Sequence, residues 1–197
     1  MPDHPERQSA FKQLLTAADG EHAAGGDLTS LLILPQPDDT IVQIIARKGQ
    51  EKRLSQRLSS MVGERFPDRP LAAAIVNETV LAAIAPGEFL AFCQTNDGRE
   101  LMSTLSQTVG DTASLFDQSH GYGVIRITGR HAYRLLAKGC ALDLGPLAFP
   151  APSASRTMIE KIPSVVVKLD EAPTLLVAVV RSFCESFEDW LRDAVKG

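Results

Sequence analysis

From Thr40 onward the chain alternates β-branched apolar runs with amphipathic stretches, and that rhythm predicts a mixed α and β fold. Ile41, Val42, Ile44 and Ile45 form one such run, which suits a pleated surface, so a strand is expected from Thr40 and an end to it by Gly49. Leu54, Leu58 and Met61 recur at helical spacing while Lys52, Arg53 and Arg57 fall on other faces, which predicts an amphipathic helix over 50–62. A proline-containing loop, Phe66–Pro70, follows. The apolar runs 79–84 and 88–93 are separated by Ala85, Pro86 and Gly87, a hairpin pattern. Asp97 with Glu100 three positions later resembles a capping box, and Leu101, Leu105 and Val109 then supply one buried helix face. A strand at 113–118 completes the order β-α-β-β-α-β, the split βαβ or ferredoxin-like arrangement.

The second half repeats the theme. In the strand expected at Tyr122–Thr128, Gly123, Ile125 and Ile127 share one side and Val124, Arg126 and Thr128 the other. The first side is assigned to the core, because Arg126 would be costly to bury unpaired. A helix over 130–138 follows, with Gly139 placed to close it in a left-handed conformation. After a stretch broken by Pro146, Pro150 and Pro152, strands are expected at 156–160, 163–169 and 174–180, the last two joined by a turn at 170–173. Ser182 and Glu185 read as a capping box for a C-terminal helix, with Phe183, Phe187, Trp190, Leu191 and Ala194 on one face. Residues 1–38 are polar and interrupted by Gly20, Gly25, Gly26, Pro35 and Pro37, and are read as a flexible or partner-binding arm. The expected architecture is therefore α+β, with an arm at 1–38 and two ferredoxin-like halves, 39–118 and 119–197, packed together.

Composition narrows the function classes. At 197 residues and 21.3 kDa the chain can bury about 70% of its unfolded surface without staples. Hydrophobic residues at 44% against 22% charged exclude a disordered or fibrous class. With 20 basic and 24 acidic residues there is no cationic surplus for a nucleic-acid backbone. The longest apolar runs, Leu71–Val76, Val80–Ala85 and Leu175–Val180, fall far short of the ~20 residues that cross a bilayer. The opening Met1–Glu6 has neither a basic nor an apolar segment, so no secretory signal is read there. Cys93, Cys140 and Cys184 are widely spaced, which suits a reducing, cytoplasmic setting. His4, His22, His120 and His131 form no ligand pair, so no local metal motif is present.

Candidate chemistry is sparse. Asp117, Ser119 and His120 bring an acid, a hydroxyl and an imidazole together, but triads converge from separated elements, and a turn with Gly121 at positive φ is the simpler reading. Cys140 follows a helix C-terminus, where the dipole disfavours a thiolate, and Cys93 lies in an apolar strand; both read as core. Cys184, near a helix N-terminus, is the candidate for mild reactivity. Gly121-Tyr-Gly123 precedes a strand, so it is no dinucleotide fingerprint. Asp143, Glu160, Asp170 and Glu171 read as solvated acids. The aromatic stripe of the last helix is core, and becomes a partner patch where it is exposed. No catalytic, cofactor-binding or metal-ligating residue is assigned. The apolar, proline-broken stretch 139–155, with Leu144, Leu147 and Phe149, is the candidate subunit interface.

The run Asp117-Gln-Ser-His-Gly-Tyr-Gly-Val-Ile-Arg-Ile-Thr-Gly129, continuing into Leu135-Leu-Ala-Lys-Gly-Cys-Ala-Leu-Asp-Leu144 and Phe149-Pro150, resembles the gamma subunit family of heterotetrameric sarcosine oxidase. Lys168-Leu-Asp-Glu-Ala-Pro-Thr174, Arg181-Ser-Phe183 and Asp189-Trp-Leu-Arg-Asp-Ala194 extend the likeness, and Ile84-Ala-Pro-Gly-Glu-Phe89 is a weaker echo. Arg130 and Val180 stand where that family more often has proline. The resemblance implies a fold shared with part of the folate-dependent aminomethyltransferases. It implies a small non-catalytic subunit in a complex that oxidatively demethylates sarcosine to glycine, passes the one-carbon unit to tetrahydrofolate or releases formaldehyde, and forms hydrogen peroxide. Alpha, beta and delta subunits are the implied partners. FAD, FMN, NAD, zinc and tetrahydrofolate would sit on those chains and none on this one. Two rival readings remain: a similar subunit of another flavin-dependent N-methyl amine or amino acid demethylase, and a free-standing folate-binding aminomethyltransferase-like protein.

Overall fold

The β-branched runs pair into two five-stranded antiparallel sheets, each carrying helices on one face. The structure is a computed structural model that describes residues 10–11, 31–36, 39–63, 71–93 and 98–196. In chain order the strands are β1 (Leu32–Pro35), β2 (Thr40–Ala46), β3 (Ala73–Val76), β4 (Thr79–Ala85), β5 (Glu88–Cys93), β6 (Ala113–Asp117), β7 (Tyr122–Thr128), β8 (Ser153–Ile159), β9 (Ile162–Asp170) and β10 (Thr174–Val180). The helices are α1 (Glu51–Val62), α2 (Gly98–Val109), α3 (Ala132–Leu136) and α4 (Cys184–Lys196). The loop at 66–70 and the Asp97 cap lie outside the described residues.

The first sheet runs β3-β4-β5-β2-β6 and the second β8-β9-β10-β7-β1, read from matching ends. Strand by strand the two correspond. In the first unit, β2-α1-β4-β5-α2-β6 gives the ferredoxin-like order, with β3 added at the edge beside β4. In the second, β7-α3-β9-β10-α4 repeats that order, with β8 added beside β9. Its fourth strand comes from the other end of the chain: β1 lies against β7 as β6 lies against β2.

Part of the segment read as an arm is thus built into the second unit. Leu32–Pro35 pairs with Thr128–Ile125, and the Gln36 N–H continues the ladder to the Val124 carbonyl at 2.8 Å. Phe11 is buried edge-on against Phe187, with ring centroids 6.4 Å apart. The sequence disguises the strand because it is short and ends in proline. On an edge strand the missing N–H of Pro35 costs no ladder bond.

The layers are helices, sheet, sheet, helices. Val42, Ile44, Leu81 and Phe89 pack under Leu54, Leu58, Leu101 and Leu105 of α1 and α2. Ile125, Ile127, Val177 and Val179 pack under α3 and α4. Between the sheets, Ile41, Val80, Leu90 and Phe92 meet Val124, Val165, Val167 and Leu176. Both faces of the second sheet are therefore covered, which is why β9 and β10 are almost continuously apolar. Val124, expected on the outer side, is buried between the sheets, and Arg126 beside it is half-buried.

Two kinds of seam hold the units together. Edge strands β3 and β8 meet at an antiparallel bridge, Ala72 to Ser153, and the Ala154 N–H donates to the Leu71 carbonyl at 2.9 Å. Beside it, Arg156 pairs with Glu88 at 2.9 Å, and Gln43 Nε2 donates to the same carboxylate at 2.6 Å. Gly139 and Gly123 are set by close approach and not by backbone sign. Neither has positive φ. A Cβ at Gly139 would stand 2.7 Å from the Trp190 ring, and one at Gly123 2.5 Å from the Cys184 sulfur.

Candidate functional site

From Leu144, between α3 and β8, to Ser155 in β8 there is no charged residue, in a chain that is 22% charged. The start of this stretch folds into a fixed turn. The Asp143 carboxylate accepts from the Gly145 N–H at 2.9 Å, and the Phe149 N–H donates to the Gly145 carbonyl at 2.8 Å. The three interface candidates do not form one surface. Leu144 and Phe149 point into the core under α3 and α4, Phe149 fully buried, because the turn needs apolar anchors on both flanks. Leu147, at the apex, is 99% exposed. Pro146, Ala148 and Pro150 are exposed around it.

Beneath the turn lies a charged group where an apolar one is expected. Lys168 sits in β9 between Val167 and Leu169, with its side chain wholly buried. Its Nζ donates to the carbonyls of Leu144 at 3.2 Å and Phe149 at 2.9 Å and pairs with Glu171 Oε2 at 2.6 Å. The ammonium also lies 4.9 Å from the centre of the Tyr133 ring. Glu171, 48% exposed, accepts the Ala151 N–H at 2.9 Å through its other oxygen. Burial alone would lower the Lys168 pKa, but the Glu171 carboxylate and Tyr133 outweigh it and leave it raised. The bonds from Lys168 and from the Ala151 N–H hold Glu171 below the usual carboxylate range. The pair thus ties down three backbone groups of the turn, at 144, 149 and 151.

From the sequence, Glu171 falls among the solvated acids and Lys168 has no role of its own. The available signal was a lysine between the apolar run Val165–Val167 and Leu169, with a glutamate three positions later. A buried amine demands such a partner.

The other sequence candidates resolve into structure. Ser119 Oγ donates to Asp117 Oδ1 at 2.6 Å and accepts the Ile41 N–H at 3.1 Å, so its hydroxyl staples the β6–β7 crossing to β2. His120 beside them is exposed, and Gly121 closes the turn by donating to the Gln118 carbonyl without positive φ. Among the described residues no group of three or more His, Cys, Asp or Glu is placed to hold a metal. A recess lined by Phe11, Asp39, Ser119, Tyr122 and Arg181 has room for roughly one water. Within the aromatic stripe Phe187 and Leu191 are core, while Phe183 lies in a 3₁₀ turn ahead of α4 and is 42% exposed.

All three thiols are buried. Cys184 opens α4, yet burial pushes its pKa up to about 11. Desolvation outweighs the helix terminus that suggested reactivity. The thiol is neutral well below that value, so at pH 8 a thiol-specific disulfide reagent is expected to leave Cys184 unmodified until the chain is denatured. Stoichiometric labelling of native Cys184 within minutes would contradict this.

Residues 67–197 match the model of the sarcosine oxidase gamma subunit family. The chain belongs to that family. It is 31% identical over 140 residues to sarcosine oxidase subunit gamma of Corynebacterium sp. (strain P-1), an alignment covering 70% of this chain and 68% of the relative. It is 29% identical over 141 residues to the Arthrobacter sp. subunit gamma, with the same coverage. A chain in the solved heterotetrameric sarcosine oxidase of Corynebacterium sp. U-96 superposes with a TM-score of 0.78 at 25% identity, over 96% of this chain and 95% of that one. Aminomethyltransferase T of the glycine cleavage system from Bartonella henselae shares the fold, with a TM-score of 0.56 at 9% identity over 82% of this chain and 45% of that one. The family match includes the whole Leu144–Pro152 turn and its Lys168–Glu171 clamp. No helix among the described residues is long and apolar enough to cross a membrane.

Proposed function

We propose that this chain is the gamma subunit of a heterotetrameric sarcosine oxidase, where it supplies shape and contact surface and the larger chains supply the chemistry. The observation that carries the reading is the end-to-end structural match to a chain of such a complex. The partners are alpha, beta and delta subunits in the cytoplasm, and FAD, FMN, NAD, zinc and tetrahydrofolate bind on those chains. The complex oxidises sarcosine to glycine, with the one-carbon unit passing to tetrahydrofolate or leaving as formaldehyde and with hydrogen peroxide as product. Co-expression with the other three subunits tests this. A stable four-chain particle that oxidises sarcosine is expected. Full assembly and activity without this chain, or a chain that stays monomeric among its partners, would overturn it.

Within that complex we place the contact on the Leu147 turn. A fully exposed leucine on an uncharged, fixed turn suits an apolar recess on a larger subunit. Leu147→Asp is expected to weaken assembly at least about tenfold while shifting the stability of the isolated chain by less than about 0.5 kcal/mol, since the side chain touches little of its own fold. Unchanged assembly would remove the turn from the interface.

A further inference from the structure

We infer that Met158 is a site of peroxide modification: among the described residues its thioether is the sulfur that hydrogen peroxide oxidises first, giving the sulfoxide, while the three thiols stay reduced and the fold is kept. The inference rests on the proposed function, which supplies the oxidant, because a complex that forms peroxide bathes its own subunits in it.

Oxidation needs a sulfur lone pair that peroxide can reach, so exposure and, for cysteine, thiolate character choose the site. The cysteines are shielded. Cys93 lies in the core under α1 and α2, and Cys140 and Cys184 lie in the core under α3 and α4. Burial also keeps Cys184 in its unreactive thiol form, since its pKa is pushed up to about 11. Of the methionines among the described residues, Met61 and Met102 pack against the first unit's core. Met158 is 49% exposed.

The strand explains that exposure. Alternate residues of β8 share one face, and Ala154, Arg156 and Met158 follow that face outward. Ala154 is buried between the sheets, Arg156 is exposed and pairs with Glu88, and Met158, opposite Pro163 of β9, lies beyond the pair. An oxygen added at Met158 therefore meets water and not the core. A sulfoxide at Met61 or Met102 would instead put a polar group against packed apolar side chains, the situation in which methionine oxidation disrupts a fold.

The reaction balances with peroxide as the sole oxidant. A sulfur lone pair attacks one peroxide oxygen, the S–O bond forms as the O–O bond breaks, and the second oxygen leaves as water with both hydrogens. The thioether loses two electrons and peroxide gains two. Methionine sulfoxide reductases reverse this step, whereas a cysteine driven to the sulfonic acid is lost. A chain that takes the oxidant at Met158 is thus recoverable.

The test has two arms. In the first, the full-length chain is titrated with hydrogen peroxide and each sulfur is followed by peptide mass spectrometry. Met158 is expected to gain one oxygen at least about tenfold faster than Met61 or Met102. Three free thiols are expected to titrate after denaturation, and the unfolding midpoint is expected to stay where it was. Equal rates at the three methionines, a cysteine oxidised first, or unfolding in step with oxidation of Met158 would each overturn the inference. In the second arm the assembled complex turns over sarcosine with no peroxide added. Met158 is expected to be oxidised as peroxide accumulates, and catalase is expected to prevent it. If Met158 stays unmodified in the complex at a peroxide concentration that oxidises it in the isolated chain, the inference falls and the proposed function stands. If sarcosine yields no peroxide, the proposed function falls and takes the inference with it.

Discussion

Deleting residues 1–38 is expected to abolish stable folding of this chain. A detachable arm would leave the remainder intact, but the deletion removes β1 and the buried side chains of Phe11 and Ile33. Each buried side chain contributes about 1.5–3 kcal/mol, and each ladder hydrogen bond about 1 kcal/mol. Together the loss is on the order of 5 kcal/mol or more, comparable to the entire 5–15 kcal/mol of stability common in domains. It also leaves β7 as a bare strand edge, a template for aggregation. Urea titration and size-exclusion chromatography of the truncated chain are the measurements. An unchanged unfolding midpoint would mean that β1 contributes nothing to the second unit. A shorter deletion ending before Leu31 separates the parts, since it removes Phe11 and spares β1.

Phe149→Glu is expected to fail at folding and not at assembly. Truncating a fully buried phenylalanine to alanine costs about 3–5 kcal/mol, and placing a carboxylate in the same space costs more. The variant should be insoluble, or if soluble should lose most of its cooperative unfolding signal. Phe149→Leu, by contrast, keeps much of the volume and is expected to cost less than about 2 kcal/mol. A soluble Phe149→Glu chain with native stability that simply fails to join its complex would restore Phe149 to the surface role suggested by its loop.

The first unit was readable because its periodicities agree with its environment. Ile41, Val42 and Ile44 announce β2, and Leu54, Leu58, Leu101 and Leu105 mark helix faces that the structure buries. What escaped were features set by distant partners. Ala73–Val76 is a run of strand length, but its place beside β4 and its meeting with β8 depend on the second sheet. Leu32–Pro35 is too short and too close to proline to announce a strand; its partner lies beyond the whole first unit. The candidate site divided in the same way. The apolar, uncharged character of 144–155 marks that loop in the sequence. Which of Leu144, Leu147 and Phe149 faces outward was decided by Lys168 and by α3 and α4, none of them local to the apex. Gly139 illustrates the same limit: its position after a helix suggested a backbone role, whereas the Trp190 ring, far along the chain, is what excludes a side chain there.

The borrowed strand also sets an order of events during synthesis. Residues 39–118 form a contiguous unit whose strands all pair within it, so it can fold while the rest is still being made. β1 leaves the ribosome before that unit, yet its partner β7 is translated only after it. At ordinary elongation rates the wait is on the order of 5–20 seconds. Throughout that interval the apolar run Leu31–Leu34 is an unpaired strand in search of an edge, and the first sheet offers it two, β3 and β6. Pro35 lacks an N–H and limits how far any wrong ladder can extend. The nascent chain therefore carries its most exposed liability at the end that the ribosome releases first.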